Sequence, residues 1–301
     1  MVPDRAQLSP ALEVSKRPTP FERIRHLWQY RELIGNLTRK ELKVKYKNSI
    51  LGFLWSLLNP LMYLVVFSIV FNIISEVKVP YYGMFFLAGL LAWNLFSSGL
   101  SQGTIAITSN AQLVTKVWFP RESLVLASVF AAVVHFALQG LVLLAAMLVF
   151  RRPPDLEYLP VLLLAFVVTL VLCTALAVGL SAVNVYLRDT QHLLEVALLA
   201  WFWLSAIAYP YGHFATKFEE RFGAGSEWML HLNPMITVVV SFQRMLYNPD
   251  WSNPSEAAVL PPHHFGWYVT HLGIALGVSL VMLYGALALF SRLEDNFAEE
   301  I

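Results

Sequence analysis

The densest group of chemically capable residues in this chain is a basic cluster at positions 39–47. Its members are Arg39, Lys40, Lys43, Lys45 and Lys47. Guanidinium and ammonium groups pair well with phosphate oxygens. Beside an apolar segment, the same charges also hold that side of a membrane protein in the cytosol and contact anionic lipids. The cluster therefore predicts phosphate or lipid-headgroup contact at a membrane surface, and it disfavours nucleic acid as a partner.

Residues for catalysis are sparse. No Gly-x-x-x-x-Gly-Lys-Ser/Thr sequence occurs, so the chain has no phosphate-cradling nucleotide loop of its own. The lone Cys173 rules out a disulfide framework, and no Cys/His spacing predicts zinc. A multispan glycosyltransferase or acyltransferase would need acids or histidines at one membrane face. Arg188, Asp189, His192 and Glu195 are the main candidates, and they lack obvious partners. We expect no cofactor and no metal in this chain.

Ionisable residues are also rare inside the apolar segments. Only His135 lies deep in one, while Glu195 and His271 lie near the ends of others. Such scattered groups make a poor proton relay. We expect His135 and Gln139, one helical turn later, to form hydrogen bonds between helices. A transport protein without a relay or a nucleotide site must take its energy from a partner.

Composition places these residues on an integral membrane protein. The chain has 301 residues, of which 57% are hydrophobic and 14% charged. A membrane span needs roughly 20 apolar residues. The predicted spans are 51–74, 82–103, 123–150, 159–183, 193–209 and 267–290. We predict an all-α protein with about six transmembrane helices in a cell membrane and both termini cytosolic, although Arg151 and Arg152 then fall outside, against the positive-inside rule.

The remaining segments complete the predicted organisation. Residues 1–20 read as a flexible cytosolic tail, and residues 21–50 as an amphipathic helix followed by a basic hinge. The helix at 21–34 suits the membrane interface, with packing on a protein surface as the alternative. The transmembrane domain covers 51–290, and 291–301 form a second cytosolic tail. Within 211–267, an apolar piece broken by Asn233-Pro234 predicts a re-entrant outer segment, with a seventh span as the alternative.

Short motifs follow one another in a fixed order along the chain. They are Tyr46, Ser49, Leu51, Gly52, Trp55, Asn59 and Pro60 at the first span, then Phe119-Pro120-Arg121-Glu122, Asn184 to Asp189, Tyr209-Pro210, Leu232-Asn233-Pro234 and Phe242-Gln243-Arg244. Their order and spacing resemble the membrane subunits of ABC-2 type permeases that export O-antigen, teichoic acid, capsule or cell-wall galactan. The resemblance covers most of residues 30–295.

The resemblance implies partners and a substrate. It implies a homodimer bound to two copies of a separate cytosolic ABC ATPase, which would hold the ATP and Mg²⁺. The substrate would be a glycan on a polyprenyl-diphosphate carrier, moved from the cytosolic to the outer face. The basic cluster can then meet the carrier diphosphate or anionic lipid. The resemblance also places the family's coupling helix in the linker 105–122, at Asn110, Gln112, Leu113 and Lys116, and a cytosolic motif at Arg188 and Asp189.

Aromatic residues suggest a path for a sugar polymer. Sugars present C–H faces that stack on aromatic rings, while rings also anchor spans at the membrane interface. The candidates for such sliding contacts are Trp55, Tyr63, Trp93, Phe96, Trp201, Trp203 and Tyr209. Interfacial belt and lipid-facing packing remain the alternative for each ring. Export of a drug or small lipid by the same kind of permease is the alternative function.

Overall fold

The computed structural model describes residue 23 and residues 27–47, 49, 51–74, 79–253, 256, 259–260 and 264–301. Helices are the regular secondary structure throughout these residues, as predicted. In chain order they are α1 Arg31–Tyr46, α2 Leu54–Ile74, α3 Tyr82–Ile105, α4 Ala111–Lys116, α5 Glu122–Val149, α6 Leu159–Tyr186, α7 Thr190–Trp203, α8 Tyr211–Phe222, α9 Pro234–Leu246, α10 Phe265–Leu293 and α11 Phe297–Glu300. The predicted tail at 1–20 lies outside the described residues.

Five of the described helices are long and apolar enough to cross a membrane, namely α2, α3, α5, α6 and α10. Their bounds differ from the corresponding predicted spans by at most three residues at either end. The prediction of an all-α integral membrane protein is therefore confirmed. Tyr82 and the loop at 150–158 mark one end of the bundle, called here the α9 end. Helix α4 marks the opposite end, called the α4 end.

Helix α3 lies at the centre, packed against α2, α5, α6, α7 and α9. Its glycines permit this close approach. A Cβ atom at Gly99 would lie 2.8 Å from Sγ of Cys173, and one at Gly103 would lie 2.7 Å from Cβ of Ala177. Small residues at four-residue spacing let membrane helices pack tightly. The contact between α3 and α6 therefore requires glycine at both positions.

Helix α2 is packed much more loosely. Most of its large apolar side chains are exposed, including Trp55, Tyr63 and Ile69. A groove of about 620 Å³ separates part of α2 from the second half of α5. Leucines line the α2 side of this groove, and Val142, Ala146 and Val149 contribute from α5. One side of α2 thus offers an apolar surface to the surroundings of the subunit.

The predicted fifth span, 193–209, is built differently from a plain helix. Helix α7 ends at Trp203, and residues 204–210 are irregular. The chain still follows α3, because Trp201 packs edge-on against Phe96 at 5.0 Å and the Tyr82 hydroxyl donates to the Ala208 carbonyl. The side-chain amide of Asn233 donates to the carbonyl of Leu204, the residue that follows α7, at 3.0 Å. This tertiary bond cannot be read from local hydrophobicity.

Residues after α7 fold back on the bundle. Helix α9 has 13 residues, about 20 Å, which is too short to cross a hydrocarbon core of about 30 Å. It begins at Asn233, which caps it by accepting from the Met235 amide at 3.0 Å. It finishes at the α9 end, where the Tyr247 hydroxyl donates to the Pro80 carbonyl at 2.8 Å. Ala208 and Tyr247 therefore both lie near the start of α3, which is the geometry of a re-entrant segment.

Helix α1 differs from the predicted helix at 21–34. It continues to Tyr46, so four of the five residues of the basic cluster lie on a helix rather than in a hinge, and Lys47 follows the last helical residue. Ile34 and Leu37 are buried as α1 packs on α5. Residues 21, 22 and 24–26 lie outside the described part of the chain. Arg23 contacts Glu294 beside the start of α5, so the beginning and end of the described chain meet at the α4 end.

Candidate functional site

The α4 end carries the segment predicted to couple to an ATPase. Helix α4 forms within the linker 105–122 and ends before Pro120, as its sequence pattern predicted. Leu113 packs against the core, whereas Gln112 and Lys116 are exposed. Asn110 is half-buried and anchors the segment, because its amide donates to the Ala106 carbonyl at 2.8 Å. The four predicted coupling residues thus divide into an inner pair and an outer pair.

An exposed tryptophan extends this surface, and sequence reasoning missed it. Trp118 is 85% exposed, and the neighbouring Val117 is also exposed. The next residue, Phe119, is buried. Val117 adopts an extended conformation after α4, and the residue before a proline also favours an extended backbone, so Trp118 and Phe119 do not lie on a helix. The available signal was the pair Trp118-Phe119 before a proline, since only one of two adjacent rings can enter the core of an extended segment.

The basic cluster has several different environments. The Lys40 ammonium donates to the side-chain oxygen of Asn110, which ties α1 to the coupling segment. Lys45 Nζ lies 3.1 Å from His135 Nε2 on α5. Arg39 borders a cleft between α1 and α5. Lys43 and Lys47 are exposed. The structure therefore does not gather the five charges into one phosphate site.

His135 connects α1, α2 and α5. Its Nδ1 lies 3.1 Å from the Tyr46 hydroxyl and 3.4 Å from Ser56 Oγ. An ammonium group only donates, so Nε2 accepts from Lys45 and the ring proton lies on Nδ1. Gln139, predicted as its partner, instead accepts from Asn94 on α3 at 3.0 Å. Both residues form hydrogen bonds between helices, but they do so separately and at different interfaces.

A buried ionic cluster joins three distant parts of the chain at the α4 end. The guanidinium of Arg23 donates to Glu122 at the start of α5 and to Glu294 after α10. Arg121 donates to the Glu294 backbone carbonyl. Arg23 and Glu122 are both buried. Their sequence separation hid the cluster from sequence reasoning, although Arg121 and Glu122 belong to one of the motifs that carry the family resemblance.

The predicted aromatic path divides into exposed and buried rings. Trp55 and Tyr63 on α2 and Trp203 on α7 are exposed. Trp93 and Phe96 on α3 are buried, and Trp201 and Tyr209 are half-buried. Trp201 donates its indole N–H to Asn233 at 2.8 Å, and the Tyr209 hydroxyl donates to the Trp203 carbonyl. The exposed rings are free to stack on a ligand in this conformation, whereas those of α3 are occupied by the core.

The α9 end is braced by ion pairs between loops. Arg152 forms a two-pronged pair with the buried Glu256, at 2.7 and 2.8 Å. These hydrogen bonds raise the pKa of Arg152 above its usual value, so the pair stays ionised. Arg244 at the end of α9 contacts Asp155 at 2.9 Å and lies 3.8 Å above the ring of Tyr158. The charge of Arg152 is thus compensated locally, which weakens its conflict with the positive-inside rule.

The residues considered for catalysis lie in the turn between α6 and α7 and in the first two turns of α7. Arg188 and Asp189 are exposed. His192 Nδ1 lies 3.8 Å from Glu195 Oε2, and both side chains are well exposed. No group of three or more potential metal ligands occurs among the described residues. This arrangement provides a solvated polar turn, without the burial that tunes an acid or base.

Comparison with known proteins agrees with this architecture. Residues 32–247 match the family described as ABC-2 type transporter. An O-antigen export system permease protein RfbA of Myxococcus xanthus is 31% identical over 280 residues, 92% of this chain and 98% of that relative. A protein of the same name from Klebsiella pneumoniae is 25% identical over 268 residues, 89% of this chain and 94% of its own length. The chain therefore belongs to the ABC-2 type transporter family of membrane proteins.

Proposed function

We propose that this chain is the membrane subunit of an ATP-driven exporter of a lipid-linked polysaccharide. Two copies would form a channel, and two copies of a separate ABC ATPase would supply the energy. The substrate would be a glycan on a polyprenyl-diphosphate carrier, moved from the cytosolic to the outer face of the bacterial cell membrane. ATP hydrolysis would belong to the ATPase subunit.

The observation that carries this proposal is the end-to-end similarity to an O-antigen export permease. The match extends over 92% of this chain and 98% of that relative, so it includes the re-entrant segment and the linker as well as the long helices. A missing nucleotide loop fits a subunit that depends on another protein for energy. Exposed rings on α2 supply surfaces on which sugar C–H faces can stack.

The proposed orientation places the α4 end in the cytosol. Lys40 of α1 contacts Asn110 beside α4, and Arg121 lies at the start of α5, and positive flanks favour the cytosolic side. In this orientation Gln112, Lys116 and Trp118 face the ATPase. Lys40 then links the docking surface to α1 through Asn110, and His135 links α1 to α2. These side-chain contacts connect the coupling segment, through α1, to the exposed helix α2. Movement of the segment would therefore be transmitted to α2.

The main competing function is export of a drug or small lipid by the same fold. Reconstitution of this chain with its ATPase in vesicles distinguishes the two. With a polyprenyl-diphosphate-linked glycan inside the vesicle membrane, we expect ATP-dependent appearance of the glycan on the far face and no phosphate release by the membrane subunit alone. Transport of a small amphiphile without glycan movement would contradict the proposed substrate, and ATP hydrolysis by the isolated subunit would contradict the division of labour.

A further inference from the structure

An apolar cleft opens between α1 and the membrane helices α5, α6 and α10. Its volume is about 720 Å³. Leu126, Phe130 and Val134 line it from α5, Val178 from α6 and Leu287 from α10. The three α5 residues are spaced four apart, so they form one stripe along that helix. This space is called the α1 cleft.

The depth of the α1 cleft matches the boundary of a bilayer. Thr174 lies about 22 Å along α6 from its start, and Leu287 lies about 33 Å along α10, at 1.5 Å of rise per residue. Both helices start at the α9 end. A hydrocarbon core is about 30 Å thick. The cleft therefore lies where acyl chains meet headgroups, in the membrane leaflet at the α4 end.

The rim of the α1 cleft is positively charged. Arg31 and Arg39 of α1 border it, both are exposed, and neither has an ion-pair partner among the described residues. The acidic lining residue, Glu122, is already paired with Arg23. Trp28 is exposed at the same rim, and tryptophan favours the membrane interface. The cleft thus combines apolar walls with two arginines available to an anion.

We propose that the α1 cleft binds an anionic glycerophospholipid of the surrounding membrane. One acyl chain lies against Phe130, Val134 and Leu287, and the phosphate pairs with Arg31 or Arg39. A peptide would bring backbone polar groups into a lining that offers them few partners. A phospholipid supplies both the apolar chain and the negative charge at this depth. This proposal concerns a resident lipid and is independent of the exported substrate.

Native mass spectrometry of the purified full chain tests the site. The probes are phosphatidylglycerol and phosphatidylcholine with identical acyl chains. We expect the wild type to retain one phosphatidylglycerol preferentially. A basic residue that pairs with an anionic headgroup is worth roughly fivefold in affinity, so R31Q/R39Q, which removes both candidate partners, should weaken phosphatidylglycerol binding by roughly fivefold or more. Phosphatidylcholine binding should change little. Arg31→Gln and Arg39→Gln show which arginine pairs with the phosphate, and Lys43→Gln, which removes an equal charge from α1 outside the cleft, is their control.

A second variant tests the apolar part of the site. Val134→Trp fills the cleft from a half-exposed position of α5, and we expect it to reduce binding of both lipids. Unchanged phosphatidylglycerol binding in R31Q/R39Q would overturn the proposal, as would a loss in Lys43→Gln as large as the larger of the losses in Arg31→Gln and Arg39→Gln. Displacement of phosphatidylglycerol by a lower concentration of polyprenyl diphosphate would also overturn it, because the cleft would then serve the carrier. If Val134→Trp does not fold, the arginine variants still decide the outcome.

Discussion

Helices α2 and α3 follow one another in sequence and are both apolar, yet their environments are opposite. In the most apolar stretch of α3, 83% of the residues are buried within the subunit, against 11% for α2. Helix α3 contains Gly83, Gly89, Gly99 and Gly103, and α2 contains no glycine. Helix α3 also contributes Asn94 to a hydrogen bond with α5, at 3.0 Å from Gln139.

The difference shows what determines burial in this protein. An apolar side chain has a similar free energy in lipid and in a protein core. Hydrophobicity alone therefore does not bring helices together in a membrane. Close packing and interhelical hydrogen bonds do so. Helix α3 has both and forms the centre of the bundle. Most side chains of α2 are large, and the exposed ones are available to lipid, substrate or another protein.

The largest expected effect is on α3. Phe96→Ala removes a ring that is 0% exposed and packs against Trp201 and Trp93. We expect a loss of about 3 kcal/mol in unfolding free energy, the low end for a buried Phe→Ala change, because transfer to lipid contributes little here. Denaturant unfolding of the purified protein measures it.

Trp55→Ala on α2 is the matched control for Phe96→Ala. Trp55 is 49% exposed, and we expect its replacement to change stability by less than about 0.5 kcal/mol. An equal loss for both variants would break the comparison. It would mean that Trp55 is buried against another molecule in the purified protein, and repeating the measurement across protein concentrations would reveal association between copies.

The contrast also shows how far sequence reasoning reaches. Long apolar runs placed the five membrane helices to within three residues, because span length is a local property. The same runs did not distinguish Phe96, which is buried, from Trp55, which is exposed. Contacts over long sequence separations were also missed, such as Arg23 with Glu122 and Asn233 with Leu204. Such contacts depend on which helices become neighbours, and a single sequence does not contain that information directly.

An intermediate effect is expected where α3 passes into the coupling segment. Val117 and Trp118 follow the tightly packed α3 and then α4 but are themselves exposed. Contact with a partner protein explains exposed apolar side chains at this position better than packing within the subunit. Trp118→Ala should weaken binding of the ATPase subunit by about 2 kcal/mol, or roughly 30-fold, because exposed tryptophans often dominate interfaces. Binding of the ATPase to the reconstituted permease, measured by titration, tests this. Trp228→Ala, an exposed tryptophan in the turn before α9, should leave binding unchanged, and equal weakening by both would contradict the docking surface.

The smallest expected effect concerns the exposed rings of α2. Trp55 and Tyr63 lie about 12 Å apart along the helix axis, which spaces two stacking surfaces along one helix. If a glycan passes along α2, replacing either ring with Ala removes about 0.5–1.5 kcal/mol of stacking, and the double variant should slow export without lowering the amount of assembled complex. The measurement is the rate of surface glycan appearance, normalised to complex in the membrane.

Tyr284→Ala on α10 is the matched control, because this tyrosine is also exposed on a membrane helix but lies outside the predicted path. Normal export by the double variant would assign these rings to lipid. Slowed export with unchanged stability would show that the loosely packed helix, rather than the buried α3, meets the substrate.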